Sequence, residues 1–159
     1  MNRSVLIALA GFSLASCGQG GGDGDAAASA PPRAGPTAAE KAALLASLPA
    51  PYDQADLDNG RRVFARCRSC HTITPGGPNM AGPNLYGVFG RKAGAHEDYN
   101  YSDAVKTAGF VWDAEHLDQW LAKPRDFLPG TKMSFAGVKN EKDRVDLIAF
   151  LKVETGYKP

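Results

Sequence analysis

Three side chains with strong ligand chemistry lie close together in the sequence, where Cys67, Cys70 and His71 form the pattern Cys-x-x-Cys-His. Two thiols at this spacing can add across the two vinyl groups of a haem, because one helical turn matches the separation of the vinyls. The histidine that follows would then lie beneath the iron as its proximal ligand. The motif therefore predicts one covalently bound haem c with its iron.

Three other uses of these cysteines have to be weighed: a reduced pair, a thioredoxin-like redox pair, or half of a zinc site. The redox pair needs a βαβ context, of which the sequence shows no sign. A structural zinc site needs a second pair of ligands, which the chain does not supply. The chain has three cysteines, and Cys17 remains to be explained.

The second axial ligand of the iron must come from a residue distant in sequence. The candidates are Met80, His96, His116 and Met133. Met80 lies too close to the proximal loop to cross the haem, and the two histidines have the surroundings of partly exposed side chains. Met133 lies in the turn-rich segment 129–135, which could place a thioether on iron. We therefore expect His71 and Met133 as the two metal ligands.

The N-terminus has the pattern of an export signal that ends at Cys17. Arg3 precedes an apolar stretch at residues 5–14. That stretch is too short for a bilayer, which needs about 20 apolar residues, but it suits a signal-peptide core. The sequence Leu-Ala-Ser-Cys at its end resembles the lipobox of bacterial lipoproteins. We expect a signal peptide at 1–16 and lipidation of Cys17; the alternatives are ordinary cleavage with a stray cysteine and an uncleaved anchor.

The following segment, residues 17–52, is predicted to be a flexible tether. It is rich in glycine and then in alanine and proline, with little that could form a core. Thr37 and Glu40 have the spacing of a capping box, so residues 37–48 could form a brief helix, which we expect to be transient. A flexible chain of this length reaches roughly 30 Å. The folded domain would then be tethered to a membrane on the periplasmic side of a bacterial cell envelope.

Residues 53–159 have the composition of one folded domain, and their pattern predicts an all-α fold. Glycine and proline interrupt residues 75–94, which indicates a loop. No convincing strand is found. So much loop cannot build a continuous core by itself, so we expect the chain to wrap a large apolar cofactor. The predicted helices run from Asp56 to Cys67, from Ser102 to Ala108, from Asp113 to Ala122 and from Asn140 to about Thr155.

Composition excludes one class of function. The formal charge of the chain is +1, whereas a nucleic-acid-binding domain shows a strong basic excess. We therefore expect no nucleic-acid partner.

Several segments together resemble the mitochondrial-type class I cytochromes c, close to bacterial cytochrome c2 and its membrane-anchored relatives. The resemblance runs from about Gly60 to Thr155, and the 62 residues that separate His71 from Met133 also fit. It implies the small cytochrome c fold, with three to five short helices and loops around one haem. The matching segments are 67–71, 82–87, 90–94, 129–133 and 146–151.

The resemblance also implies roles for individual residues. Pro83 would accept a hydrogen bond from His71 through its carbonyl, and Thr131 would brace the loop of the distal ligand. Gly60 and Phe64 would meet Leu147 and Phe150 where the first and last helices cross. Arg91, Tyr101 and Trp112 would bind or neutralise a buried haem propionate. The full set of expected cofactor-binding residues is Cys67, Cys70, His71, Pro83, Arg91, Tyr101, Trp112, Trp120, Thr131, Met133 and Phe135.

Two positions depart from the family pattern. Trp120 stands where a tyrosine usually interacts with the methionine sulfur, and Val105 stands where a polar asparagine is common. A drier distal pocket is the expected result.

The function implied by the resemblance is that of a one-electron carrier, and not an enzyme, in a respiratory or photosynthetic chain. The expected partners are a quinol:cytochrome c oxidoreductase and a terminal oxidase or photosynthetic reaction centre, with the carrier itself a monomer. A haem-based sensor or weak peroxidase with a labile Met133, and a structural subunit of a larger complex, are the alternatives. The residues expected to form a basic docking ring are Arg66, Arg68, Arg125, Lys132 and Lys139.

Overall fold

The computed structural model describes residues 36–156, and the regular secondary structure in this part of the chain is helical. An isolated antiparallel bridge between Lys92 and Val111 is the β pairing found within these residues. The predicted all-α class is therefore confirmed. The elements are α1 (Ala38–Ala46), a 3-10 turn (Tyr52–Gln54), α2 (Leu57–Phe64), α3 (Asp103–Lys106), α4 (Ala114–Ala122), α5 (Pro124–Phe127) and α6 (Glu141–Glu154).

The frame of the fold is the crossing of α2 and α6. Gly60 makes the close approach possible, because a Cβ at this position would lie 2.2 Å from the carbonyl oxygen of Asp146 and 2.6 Å from Cβ of Phe150. The rings of Phe64 and Phe150 pack beside it with centroids 5.6 Å apart. The predicted crossing of the first and last domain helices is thus found, with Gly60, Phe64 and Phe150 in contact there.

Side-chain caps explain where three helices begin. Asp56, Asp113 and Asn140 each accept a hydrogen bond from the backbone N–H three residues further on, which satisfies a donor that the helix leaves free. The capped helices are α2, α4 and α6.

The end of one helix differs from its prediction, and one helix was not predicted. Helix α2 ends at Phe64, and the chain then turns: the Cys67 N–H donates to Phe64 O over 2.8 Å and the His71 N–H to Cys67 O over 3.0 Å. The haem-binding motif therefore lies in turns after α2, outside the helix itself. Helix α5 was not predicted, and Pro124 starts it at a position where a missing N–H costs nothing.

Helix α1 is docked, which corrects the prediction of a transient helix within the tether. Its capping box is complete at Thr37. Lys41 donates to both carboxylate oxygens of Glu154 on α6, each over 2.7 Å, and Leu48 is buried at 5% exposure. Tertiary contacts thus stabilise a helix that would be marginal alone, and this part of the predicted tether belongs to the folded domain.

The remaining N-terminal predictions lie outside the described residues. These are the signal peptide at 1–16, the lipidation of Cys17 and the part of the tether before residue 36. Between residues 36 and 156, the structure contains no helix with both the length and the apolar character needed to cross a membrane.

Candidate haem site

A cavity of about 370 Å³ opens between the turn after α2, the loop at 81–91, the segment 99–105 that includes the start of α3, helices α4 and α6, and the loop at 131–135. Its volume lies in the range of small-molecule and cofactor sites. Apolar side chains supply most of its wall, among them Leu85, Val88, Leu121, Leu147 and Leu151. Such a wall suits a large apolar cofactor.

Every residue that the sequence analysis assigned to the cofactor lines this one cavity. The structure therefore brings together side chains that are spread over 69 positions, from Cys67 to Phe135. The roles of these residues remain predictions. The lining includes Cys67, Cys70, His71, Pro83, Arg91, Tyr101, Trp112, Trp120, Thr131, Met133 and Phe135.

The His71 ring is held on two sides. Its Nδ1 lies 2.8 Å from the carbonyl oxygen of Pro83, which fixes Nδ1 as the donor and leaves Nε2 as a free ligand atom. Gly82 gives the ring its room, because a Cβ there would lie 2.3 Å from Cε1 of His71. Burial lowers the pKa of His71, against the opposing effect of the Pro83 hydrogen bond. The ring is thus prepared as a neutral metal ligand.

The two thiols lie in the wall beside it. Cys67 and Cys70 are both free and partly buried, and burial raises the pKa of the Cys67 thiol. Within residues 36–156, no group of three or more His, Cys, Asp and Glu side chains could hold a metal ion together. A zinc site at this motif is therefore not supported, whereas thioether attachment requires only these two thiols.

A short pairing of two loop segments places Arg91 beside Trp112. The Trp112 N–H donates to Arg91 O over 2.9 Å, and the Gly90 N–H donates to Trp112 O over 2.9 Å. The Arg91 guanidinium donates to the carbonyl of Tyr86 and, over 3.4 Å, to the carbonyl of Asn84. Burial lowers the pKa of Arg91 and raises that of Tyr101. A half-buried cation in an apolar wall can neutralise a carboxylate such as a haem propionate.

The four candidates for the second axial ligand differ in whether they line the cavity. Met133 lines the cavity, and its N–H donates to Oγ1 of Thr131 over 3.2 Å. Met80 is 46% exposed. His116, which lies in the first turn of α4, binds Asp113 and stacks on Phe110. Neither these two nor His96 belongs to the cavity wall.

The two unusual residues also face the cavity. Val105 is 5% exposed and Trp120 is 8% exposed. The Trp120 ring packs against Trp112 with centroids 5.3 Å apart and against Phe127 at 6.3 Å. Trp120 thus joins an aromatic cluster, and a hydrogen bond from its indole to Met133 is not found in the described part of the chain.

Ser102 is a candidate site residue that the sequence analysis missed. It stands at the predicted start of a helix, but its side chain makes no capping hydrogen bond to α3. Its Oγ is instead buried without a partner among the described residues, in the wall of the cavity. A buried hydroxyl normally has a partner, so Ser102 fits a polar group of the cofactor. No sequence signal distinguishes this role from an ordinary N-cap.

The five predicted docking residues are all exposed and belong to different segments of the chain, and the docking ring itself stays a prediction. Arg66 and Lys132 border the cavity. Arg68 lines a second pocket of about 500 Å³ beside α1, α2 and α6, which shares Phe64 and His71 with the haem cavity. Arg125 belongs to α5, and Lys139 precedes α6.

The all-α fold, the apolar cavity and the Cys-x-x-Cys-His turn define a small c-type haem protein. Residues 57–153 match the family Cytochrome c. Cytochrome c of Theileria parva is 53% identical over 100 residues, which cover 62% of this chain and 86% of that protein. Cytochrome c2 of Rhodomicrobium vannielii is 44% identical over 115 residues, which cover 72% of this chain and 91% of that protein. The solved structure of cytochrome cH from Methylobacterium extorquens aligns with a TM-score of 0.59 and 44% identity, covering 63% of this chain and 100% of that one.

The chain belongs to the cytochrome c family. Its fold is the small cytochrome c fold, and its cofactor is covalent haem c with iron. The residues present fit that group, since the thiols, the prepared histidine, the apolar wall and the unpartnered hydroxyl meet in one cavity. Proteins of this family act as haem-based electron carriers.

Proposed function

We propose that this chain is a one-electron carrier of a bacterial respiratory or photosynthetic chain, with His71 and Met133 as the axial ligands of its haem. The observation that carries the ligand assignment is the position of Met133. Of the four candidate donors, it alone lines the cavity that contains the Cys67–His71 motif.

The side chains around the cavity support electron transfer and not substrate chemistry at iron. Haem c supplies a one-electron couple, and a thioether is a soft ligand that raises its potential by favouring the ferrous state. Pro83 holds the His71 ring in one orientation. With His71 and Met133 both holding the iron, little rearrangement would accompany oxidation or reduction.

The proposed partners are a quinol:cytochrome c oxidoreductase and a terminal oxidase or photosynthetic reaction centre. Residues 53–159 carry 15 basic and 14 acidic side chains, so steering must come from an uneven distribution of charge. Arg66 and Lys132 are exposed at the border of the cavity. Cations at that position would attract an acidic partner surface toward the haem edge.

We further propose that the carrier is lipid-anchored at Cys17, with the haem domain facing the periplasm. The support is the apolar stretch followed by Leu-Ala-Ser-Cys, and the cysteine count, since the other two thiols are required by the haem.

The ligand assignment is tested by replacing Met133. Met133→Ala should keep the haem attached but abolish the methionine–iron charge-transfer band of the ferric protein. The potential should fall by on the order of 0.1 V, a part of the range that axial ligands span. Spectroelectrochemistry measures the band and the potential, and titration with imidazole measures whether the iron has become open to an added ligand.

Met80→Ala is the matched control, because Met80 is an exposed methionine and its loss should change neither spectrum nor potential. If the wild-type ferric protein shows no methionine–iron band and Met133→Ala keeps the wild-type spectrum and potential, Met133 is not the ligand and His96 or His116 takes its place. A wild-type ferric protein without the charge-transfer band, and with rapid binding of imidazole, would favour the sensor or peroxidase function instead.

A further inference from the structure

Helix α1 lies before the residues that match the cytochrome c family, which begin at residue 57. It packs against α6 and the 3-10 turn. In α1 and the turn after it, the less exposed residues are spaced at i, i+3, i+4 and i+7, so they form one face toward the domain. These residues are Lys41, Leu44, Leu45 and Leu48. Helix α1 is thus an addition to the matched domain, docked through a narrow face.

The docked face is held by one ion pair and by the burial of Leu48. Lys41 Nζ donates to both carboxylate oxygens of Glu154 over 2.7 Å, and the two side chains are 31% and 20% exposed. Leu48 is buried, but it lies outside the central apolar cluster of the domain. No side chain within α1 itself is buried. The docking of α1 can therefore be weakened without removing any part of the central cluster.

The ion pair forms one side of the second pocket, the one of about 500 Å³ beside α1, α2 and α6. Lys41 is the α1 residue in its wall, and Glu154 lies there too. His71 lines this pocket as well as the haem cavity, so the surroundings of its ring depend on how well α1 covers the pocket. The apolar part of the wall consists of Phe64, Ile73 and Phe150.

We propose that Lys41 and Glu154 are positioning residues, which hold α1 over the pocket beside His71 and thereby raise the reduction potential of the haem. The inference rests on the proposed ligation of the iron by His71. Ferric haem carries one more positive charge than ferrous haem, so surroundings that exclude water favour the ferrous state. When α1 detaches, water enters the pocket beside the ligand, the ferric state is favoured and the potential falls.

The experiment combines spectroelectrochemistry of the full-length, haem-loaded protein with hydrogen exchange of the backbone amides of α1. Lys41→Gln and Glu154→Gln should each speed this exchange by roughly two- to fivefold, the factor that one partly exposed ion pair supplies. Both variants should also have a lower potential than wild type. Glu154→Gln is decisive, because removal of a negative charge by itself favours ferrous haem and would raise the potential.

Three further variants separate docking from charge. Leu48→Ala changes no charge, yet it should also speed exchange in α1 and lower the potential. Lys41→Arg keeps the ion pair and should retain the wild-type potential. Lys106→Gln is the control, since it removes the same charge from a lysine that pairs with Asp103 on α3 at 3.5 Å, and exchange in α1 should be unchanged.

Two results would overturn the inference. If Lys41→Gln lowers the potential while Glu154→Gln raises it, the pair acts through its charges alone. If exchange in α1 speeds up but the potential stays at the wild-type value, the docked helix has no influence on the haem.

The proposed function fails in a different measurement. A wild-type ferric protein without the methionine–iron band would contradict ligation by Met133, whereas the potentials of the α1 variants would still decide the role of the ion pair. If the band is present in wild type and in every α1 variant, the ligation stands whichever way those potentials move.

Discussion

At the scale of single residues, the cavity combines tightly constrained side chains with one that has no partner. Gly82 leaves room for the His71 ring, and the carbonyl of Pro83 orients it. Ser102 is different, because its buried hydroxyl has no hydrogen-bond partner among the described residues. A polar group of the cofactor would supply the missing partner.

Ser102→Ala should therefore destabilise the haem-loaded protein by about 0.5–1.5 kcal/mol, the usual net value of one hydrogen bond. Denaturant unfolding of the haem-loaded protein measures this loss. Ser134→Ala is the control, because Ser134 also borders the cavity but is exposed. Equal stability of Ser102→Ala and wild type would show that the hydroxyl has no partner in the complete protein either.

At the scale of helices, Gly60 decides how closely α2 and α6 can cross. An alanine in place of an exposed helical glycine normally stabilises by about 0.5–1 kcal/mol. Gly60→Ala should do the opposite and cost about 1–3 kcal/mol, because the new methyl group overlaps the α6 backbone at Asp146. The sign of the change in unfolding free energy is the test, and a stabilised variant would contradict the crossing geometry.

The same crossing contains a carboxylate that links stability to pH. Asp146 is 1% exposed and accepts hydrogen bonds from Lys142, from Asn59 and from the Asp56 N–H. Burial alone would raise its pKa, but these donors lower the pKa below its ordinary value. The pKa of Asp146 is therefore lower in the folded than in the unfolded protein, where it is near 4. Its contribution to the free energy of unfolding is present above the unfolded pKa and is lost as the pH falls through the folded pKa.

Asp146→Asn should accordingly lower stability at neutral pH and flatten the fall of the denaturation midpoint between about pH 5 and pH 2. Thermal unfolding over that range measures both effects. Asp103→Asn, at a carboxylate that is 97% exposed, should follow the wild-type curve. If the denaturation midpoint of Asp146→Asn falls with pH in parallel with that of wild type, groups other than Asp146 cause the loss of stability in acid.

Much of the helical frame could be predicted from sequence, because caps and apolar spacing are local signals. Asp56, Asp113 and Asn140 indicated three helix starts that the structure shows. The docking of α1 could not be predicted, since the Lys41–Glu154 ion pair joins positions 113 residues apart. The bridge between Lys92 and Val111 was missed for the same reason, as was the burial of the Ser102 hydroxyl.

At the scale of the whole molecule, the predicted anchor determines where the carrier operates. Cys17→Ser, made in a host that can lipidate, should move the protein from the membrane fraction to the periplasm or block signal processing. The haem spectrum should stay unchanged, because Cys67 and Cys70 remain. One acyl chain binds membranes only marginally and further chains make binding stable, so membrane fractionation with mass measurement is decisive. Equal mass and solubility of both proteins would make this a plain periplasmic cytochrome.

The placement of the aromatic rings has a consequence for optical spectroscopy. The chain has two tryptophans, Trp112 and Trp120, and both line the cavity with ring centroids 5.3 Å apart. Haem absorbs where indole emits, so energy transfer to a haem held in this cavity should quench the fluorescence of both rings. Unfolding separates the indoles from the haem, and their emission rises from a dark background. The chain therefore carries its own reporter of pocket opening, and it needs no added label.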